Sequence, residues 1–265
     1  MFTKTTFRPC LQLAPYIESI VHIESPAAQV FNILPQTSLV MAFHYQSRMY
    51  ATNGALEMPV LKSGLFGLHD GVRKFRSEPD MAMILILFKP ESAAAFFNIP
   101  LHELYCNASR LDNFIHPDKV MEVEDRLQAV GSLFDKITTV EKFLCGIAVS
   151  KRKDAIVEQA VQQIRLSKGD IKIKQLAETL CISESRFEKR FRAIVGTTPK
   201  RFASVIRFRT IIQSYRQMET FTGAAYEAGY FDQAHFVRDF KSFTGVSPFR
   251  FFKAKEDNSP VFLPF

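Results

Sequence analysis

The sequence predicts an α+β protein: an N-terminal β sandwich or half-barrel with helices behind it, then an all-α segment of two repeated helix pairs joined by a long helix. Three observations carry this prediction. Short apolar runs separated by turn signals fill the first ninety residues, the apolar spacing changes to three and four residues from Glu91, and a set of Phe, Gly and Pro positions near the C-terminus recurs 49 residues later.

The apolar runs are Tyr16 to Ile23, Val30 to Leu34, Ser38 to Tyr45, Ser63 to Leu68 and Met81 to Phe88, with Asn53-Gly54 and Asp70-Gly71 as turn dipeptides between some of them. Helical spacing then links Val120, Val123, Leu127, Val130, Leu133, Phe134 and Ile137, and after them Val140, Phe143 and Leu144. The charged run Ser150-Lys151-Arg152-Lys153-Asp154 reads as a linker or as a solvated helix end. The expected organisation is therefore 1–149 (β-rich 1–90, helical 91–149), 150–255 all-α, and a tail at 256–265. That tail ends Pro260-Val261-Phe262-Leu263-Pro264-Phe265 and is expected to pack on its own domain or stay disordered. Docking on the N-terminal domain is the alternative.

Composition narrows the function. The chain of 265 residues is 47% hydrophobic, enough for two ordinary cores. Its longest apolar run, Met81 to Phe88, is too short to span a bilayer, and the N-terminus lacks a signal-peptide core, so a cytoplasmic protein without a membrane partner is expected. Cys10, Cys106, Cys145 and Cys181 stand far apart without a C-x-x-C pair, which argues against a zinc ribbon or redox couple. Charge is uneven. Residues 1–150 hold 13 Lys/Arg against 15 Asp/Glu, whereas 151–255 hold 21 against 10. A net +11 confined to one segment favours a polyanion partner.

The repeat lies in that basic segment. Phe187, Phe191, Gly196, Pro199 and Phe202 recur as Phe236, Phe240, Gly245, Pro248 and Phe251, and Lys189, Arg192 and Arg201 recur as Arg238, Lys241 and Arg250. Each copy reads as a helix-turn-helix unit. In the first, Ile173, Leu176, Ala177 and Leu180 form a stripe, Cys181-Ile182 turns the chain, Ser183 caps with its hydroxyl, Glu184 favours the positive helix end, and Gly196 ends the helix. In the second, Ala224, Ala225 and Ala228 give the small face, Gly229 turns, Asp232 caps, and Phe236, Phe240 and Phe243 form the stripe. The second helices are expected at about 184–195 and 232–243. Small residues at the crossing let two helices approach steeply over a short turn.

Apolar residues at i, i+4 and i+7 anchor such a helix, leaving polar residues between them to reach bases and phosphates in a major groove. From Pro199 to about Met218 one continuous helix is expected, with Pro in its first turn. About twenty residues at ~1.5 Å each give a rod of roughly 30 Å. That is close to the spacing of about 34 Å between successive major-groove segments on one face of B-DNA.

The segments LAETLCISESRFEKRFRAIVGTTPKRF and AYEAGYFDQAHFVRDFKSFTGVSPFRF resemble the AraC/XylS family of transcription regulators, which read DNA with one face of each second helix. The resemblance implies a sequence-specific DNA-binding regulator, and the six scattered histidines, without an H-E-x-x-H, G-x-S-x-G or phosphate-loop pattern, give no catalytic residues, metal or cofactor to expect. The resemblance places Ser185, Glu188 and Lys189 toward bases and Arg186 and Arg192 near phosphates. In the second unit the base-facing positions are Gln233, Ala234, His235 and Arg238, followed by Lys241, the counterpart of Arg192. Arg238 suits guanine, Gln233 adenine, Glu188 cytosine and Ala234 a thymine methyl; His235 is equally well read as a capping or packing residue. Gly223 departs from a good helix former and predicts a shorter or looser helix before the second turn. LILFKPESAAAFFNIPLHEL (Leu85 to Leu104) resembles an uncharacterised β-rich domain that precedes such units, read as a strand, a Pro-containing turn and a helix. By analogy that domain senses a small-molecule effector of unknown identity or forms a homodimer, and RNA polymerase is a further candidate partner. Two other readings stand beside this one: a non-specific architectural nucleic-acid-binding protein, and a cupin-like enzyme fused to a DNA-binding domain.

Overall fold

The computed structural model describes residues 2–97, 99–147, 154–214, 233–254 and 261–263. Eleven strands among them form two sheets. The larger runs β1(Thr3–Phe7), β2(Ile17–Ser25), β9(Met81–Phe88), β4(Val40–Gln46), β7(Ser63–Phe66) and β10(Ala108–Arg110), all antiparallel. The smaller runs β3(Gln29–Ile33), β8(Arg73–Ser77), β5(Met49–Asn53) and β6(Leu56–Pro59), also antiparallel.

β9 explains how the layers stack. Its side chains alternate between two cores: Ile84, Ile86 and Phe88 pack with helices, whereas Met83, Leu85 and Leu87 pack against Phe31 and Phe75 of the smaller sheet. A strand covered on both faces must be apolar throughout, and all eight residues are buried. The helical layer is α1(Pro117–Ala129) and α2(Leu133–Cys145), which bury Val120, Val123, Leu127, Ile137, Val140 and Leu144. Ser132 caps α2 by accepting from Asp135 N at 3.1 Å.

Several expectations need correction here. Phe134, placed in the apolar stripe, is 76% exposed, because it lies about a quarter turn off the Ile137/Leu144 face. Between Glu91 and Pro117 there is no α-helix among the described residues, only 3-10 turns at Ala93–Ala95, Leu101–Leu104 and Leu111–Asn113, and β10. Pro100 disfavours helical backbone at Ile99, so no α-helix runs through. The tail strand, β11(Val261–Leu263), pairs in parallel with β3 of the N-terminal sheet rather than with its own domain. The turn at Asn53-Gly54 is present, with Gly54 at φ 66° between β5 and β6.

Between Asp154 and Ala254 the described elements are all helices. α3(Ala155–Leu166), which the apolar pattern left unassigned, is capped by Asp154, whose carboxylate accepts from Ile156 N and Val157 N at 3.2 Å, so this end of the charged run is a helix start. Then come α4(Ile173–Thr179), α5(Glu184–Val195), α6(Pro199–Ser214), α7(Gln233–Thr244) and α8(Pro248–Ala254). Ser183 occupies the cap position of α5 as expected, but its hydroxyl makes no capping bond. α6 is described for 16 residues, about 24 Å, and the rest of the expected rod to Met218 lies outside the described residues. So do Glu219 to Gly223, Ala224, Ala225, Ala228, Gly229 and Asp232.

The two repeats build matching cores. Phe187, Phe191 and Phe202 stack edge to face at 5.7 and 5.5 Å, and their counterparts Phe236, Phe240 and Phe251 do so at 5.6 and 5.3 Å. Gly196 closes α5 at φ 94°, and its equivalent Gly245 has φ 75°.

Gly67, just after β7, has the backbone of Leu104 so close that an added Cβ would stand 1.8 Å from the Leu104 oxygen. Gly67→Ala should therefore destabilise the chain by about 1–3 kcal/mol or more in urea unfolding, whereas Gly131→Ala, into open space, should be near neutral. Equal midpoints for the two variants would contradict this packing.

Candidate nucleic-acid interface

α5 sits on its own apolar floor, with Phe187, Phe191 and Val195 buried. A helix anchored on these three positions leaves its remaining faces in solvent, and Ser185, Arg186, Glu188, Lys189 and Arg192 are all exposed. Ser185, Glu188, Lys189 and Arg192 come together along one wall of an open groove of about 700 Å³, with Glu184. Arg186 does not line it. His102, from the 3-10 turn at Leu101–Leu104, completes the lining and was invisible to sequence reasoning, because it lies in the other half of the chain.

α7 repeats the arrangement. Phe236, Phe240 and Phe243 are buried, and Ala234, Arg238 and Lys241 are exposed. The side chains of Gln233 and His235 lie outside the described residues.

The basic excess divides into two populations. One is spent on structure: Arg190 pairs with Asp154, Arg165 with Glu18 at 3.3 Å, Arg201 with Asp70 at 3.4 Å and Arg207 with Asp170 at 3.6 Å. Among the described residues no ion pair engages Arg186, Lys189, Arg192, Arg238 or Lys241. The cations of the two exposed helix faces thus stay available to a polyanion, and their Coulomb energy is not spent inside the fold.

Two loops of the sheet-bearing half reach this helical half. Leu34, after β3, is buried in the core formed by Val205, Phe208, Ile211, Phe236, Phe240 and Phe243. Leu68, after β7, is buried in the core formed by Val161, Leu176, Phe187, Phe191 and Phe202. Arg201, on the first turn of α6, donates to the Asp70 carbonyl at 2.8 Å and lies 4.6 Å over the Phe243 ring.

Next to Leu68, the His69 ring is buried and bonded through Nδ1 to the Gly71 carbonyl at 2.6 Å. Burial pushes its pKa down to about 4, reinforced by the Arg73 guanidinium, with the Gly71 bond and Asp70 opposing. Burial likewise takes His44 down to about 4. Among the described residues no three His, Cys, Asp or Glu side chains converge as metal ligands. No described helix is long and apolar enough to cross a membrane.

Residues 176–254 match the model of a helix-turn-helix domain, and residues 5–108 match a domain of unknown function (DUF6597). A Haemophilus influenzae relative described as an uncharacterised HTH-type transcriptional regulator is 27% identical over 228 residues, 78% of this chain and 74% of that protein. Among solved structures, ToxT of Vibrio cholerae aligns over 95% of this chain and 98% of its own at 11% identity, with a TM-score of 0.47. The C-terminal domain of AraT, a response regulator of Geobacillus stearothermophilus, aligns over 38% and 86% at 25% identity, with a TM-score of 0.36.

The His69 shift has a pH consequence. Between its ordinary value of 6.5 and about 4, the unfolded chain binds a proton that the folded ring refuses. Stability therefore falls as pH drops through that window. Replacing His69 by Gln should flatten the decline relative to wild type by up to ~3 kcal/mol, read from urea midpoints at pH 7 and 4.5. Parallel pH profiles for the two proteins would contradict a neutral, buried His69.

Proposed function

We propose that this chain, a DNA-binding transcription regulator whose C-terminal third is an AraC-type helix-turn-helix domain, reads one duplex with α5 and α7 in successive major grooves. The observation that carries this reading is the duplicated face: two helices 49 residues apart in the sequence, each held on a buried Phe pair and each exposing unpaired cations at matching positions. An architectural protein needs the cations alone. It does not need Ser185 and Ala234, which occupy repeat positions 49 residues apart, or Glu188 between Phe187 and Phe191, to be displayed on those faces.

In this reading Ser185, Glu188 and Lys189 on α5, and Gln233, Ala234, His235 and Arg238 on α7, meet base edges. Arg186, Arg192 and Lys241 meet phosphates. The DNA-binding unit spans 150–255, preceded by a sensing or dimerising unit at 1–149. RNA polymerase and a second copy of the chain are the protein partners that go with such a regulator, and the cytoplasm is its place. No catalytic step is part of the reading.

Effector control has its own support. A cavity of about 60 Å³ lies between the sheets, lined by apolar side chains with Gln36, His44, His69 and Arg73. Gln36 is only 5% exposed, and its Oε1 has no hydrogen-bond partner. A buried acceptor left unmatched costs about 1–3 kcal/mol, which a donor small enough for that space, water included, would recover.

Arg238→Ala should cost about 1–3 kcal/mol on the selected operator and relax specificity at one base pair. Arg192→Ala should weaken all sequences alike and lower the salt slope by about one. Affinities measured on operator and random DNA across salt concentrations test both. Equal losses on the two DNAs for Arg238→Ala would refute its assignment.

A further inference from the structure

A single helix is an incomplete mount for two reading units. α6 joins the first core through Phe202 and Ala203 and the second through Val205, Phe208, Ile211 and Ile212. Among the described residues each unit rests on that helix by one seam, which restrains sliding along its axis better than rotation about it. A second attachment, away from the helix, removes the rotation.

The sheet-bearing half supplies such an attachment to each unit. Leu68 enters the first core and Leu34 the second, each only 5% exposed. Around Leu68, Asp70 holds Arg201 through both its carbonyl and its carboxylate. The backbone at Gly71 and the Val72 side chain lie against Ser242 and Gly245 at the end of α7. One loop, 67–72, thus touches both units, and the loop carrying Leu34 touches the second again.

We propose that the N-terminal half is a positioning element for DNA reading: the Leu34 and Leu68 plugs and the Asp70–Arg201 clasp set the angular register between α5 and α7, and so the operator spacing the protein accepts. The inference rests on the reading that both units engage one duplex. Leu34, Leu68 and Asp70 touch no DNA in this scheme and act only through the units they hold. Loosening them leaves each unit able to bind its own block of sequence and frees the distance between blocks.

The test uses the full chain and three kinds of DNA: the selected operator, the same operator with its two blocks moved apart by about half a helical turn, and DNA with one block only. Wild type should prefer the native spacing over the shifted one by roughly tenfold or more. Leu34→Ala, Leu68→Ala and Asp70→Asn should each reduce that preference to about threefold or less, with single-block affinity within about twofold of wild type. Asp70→Glu, which keeps the charge, should restore it. Asp70 also accepts from Cys106 Sγ at 3.6 Å, but Asp70→Asn keeps the shape of the side chain and leaves both leucine plugs in place, so the test survives if the leucine variants fold poorly. An unchanged spacing preference in all variants would overturn the inference and leave α6 alone in control. So would single-block affinity falling in step with operator affinity, since that marks general unfolding. A wild type that binds one block as tightly as two would instead remove the two-unit reading underneath.

Discussion

One helix contributes to two hydrophobic cores, and the exposed faces of α5 and α7 depend on that sharing. Phe202 of α6 stacks with Phe191, while Phe208, two turns further on, stacks with Phe240 and Phe243. Burying each aromatic ring stabilises the packed state by about 2–3 kcal/mol, so neither unit can leave the helix without exposing several of them. The helices α5 and α7 owe their outward faces to this arrangement. Once phenylalanines at repeat positions are committed to the floor, the residues between them have only solvent or a partner to face.

Electrostatics follows from the same geometry. A basic segment could have used its cations to staple itself together, and part of it does, with Arg165, Arg190, Arg201 and Arg207 all engaged by carboxylates. These pairs are mostly half-exposed and hold little energy individually. Their value is directional: Asp70 and Glu18 come from the sheet-bearing half, so two of the four pairs tie the halves together. The remaining cations on α5 and α7 are exposed and enter no ion pair among the described residues. Structure and recognition thus draw on separate subsets of the same charge excess, and a bare count of Lys and Arg merges them.

The sequence was legible where one residue type had one reason to be there. β9 could be recognised because both its faces are buried, and the repeat because Phe, Gly and Pro each answer a separate demand of packing, helix ending and helix starting. β1, with Thr3-Lys4-Thr5-Thr6-Phe7, and β8, with Arg73-Lys74-Phe75-Arg76-Ser77, escaped notice because each has a polar face that reads as loop. α3 escaped for another reason: Val157, Ala160, Val161 and Ile164 have good helical spacing, but nothing in the repeat refers to them. At the candidate interface the exposed positions of both reading helices were legible from the 49-residue offset. His102, Leu34, Leu68 and the Asp70–Arg201 pair were not, since contacts between residues as far apart as 131 positions leave no local pattern.

Hydroxyl-radical footprinting of the full-length chain on DNA enriched from random sequence would show whether α5 and α7 bind one duplex together. Two protected patches on one face of the duplex, with centres about one helical turn apart, are the predicted result. A single patch, or protection spread evenly along any fragment offered, would contradict two rigidly mounted reading helices.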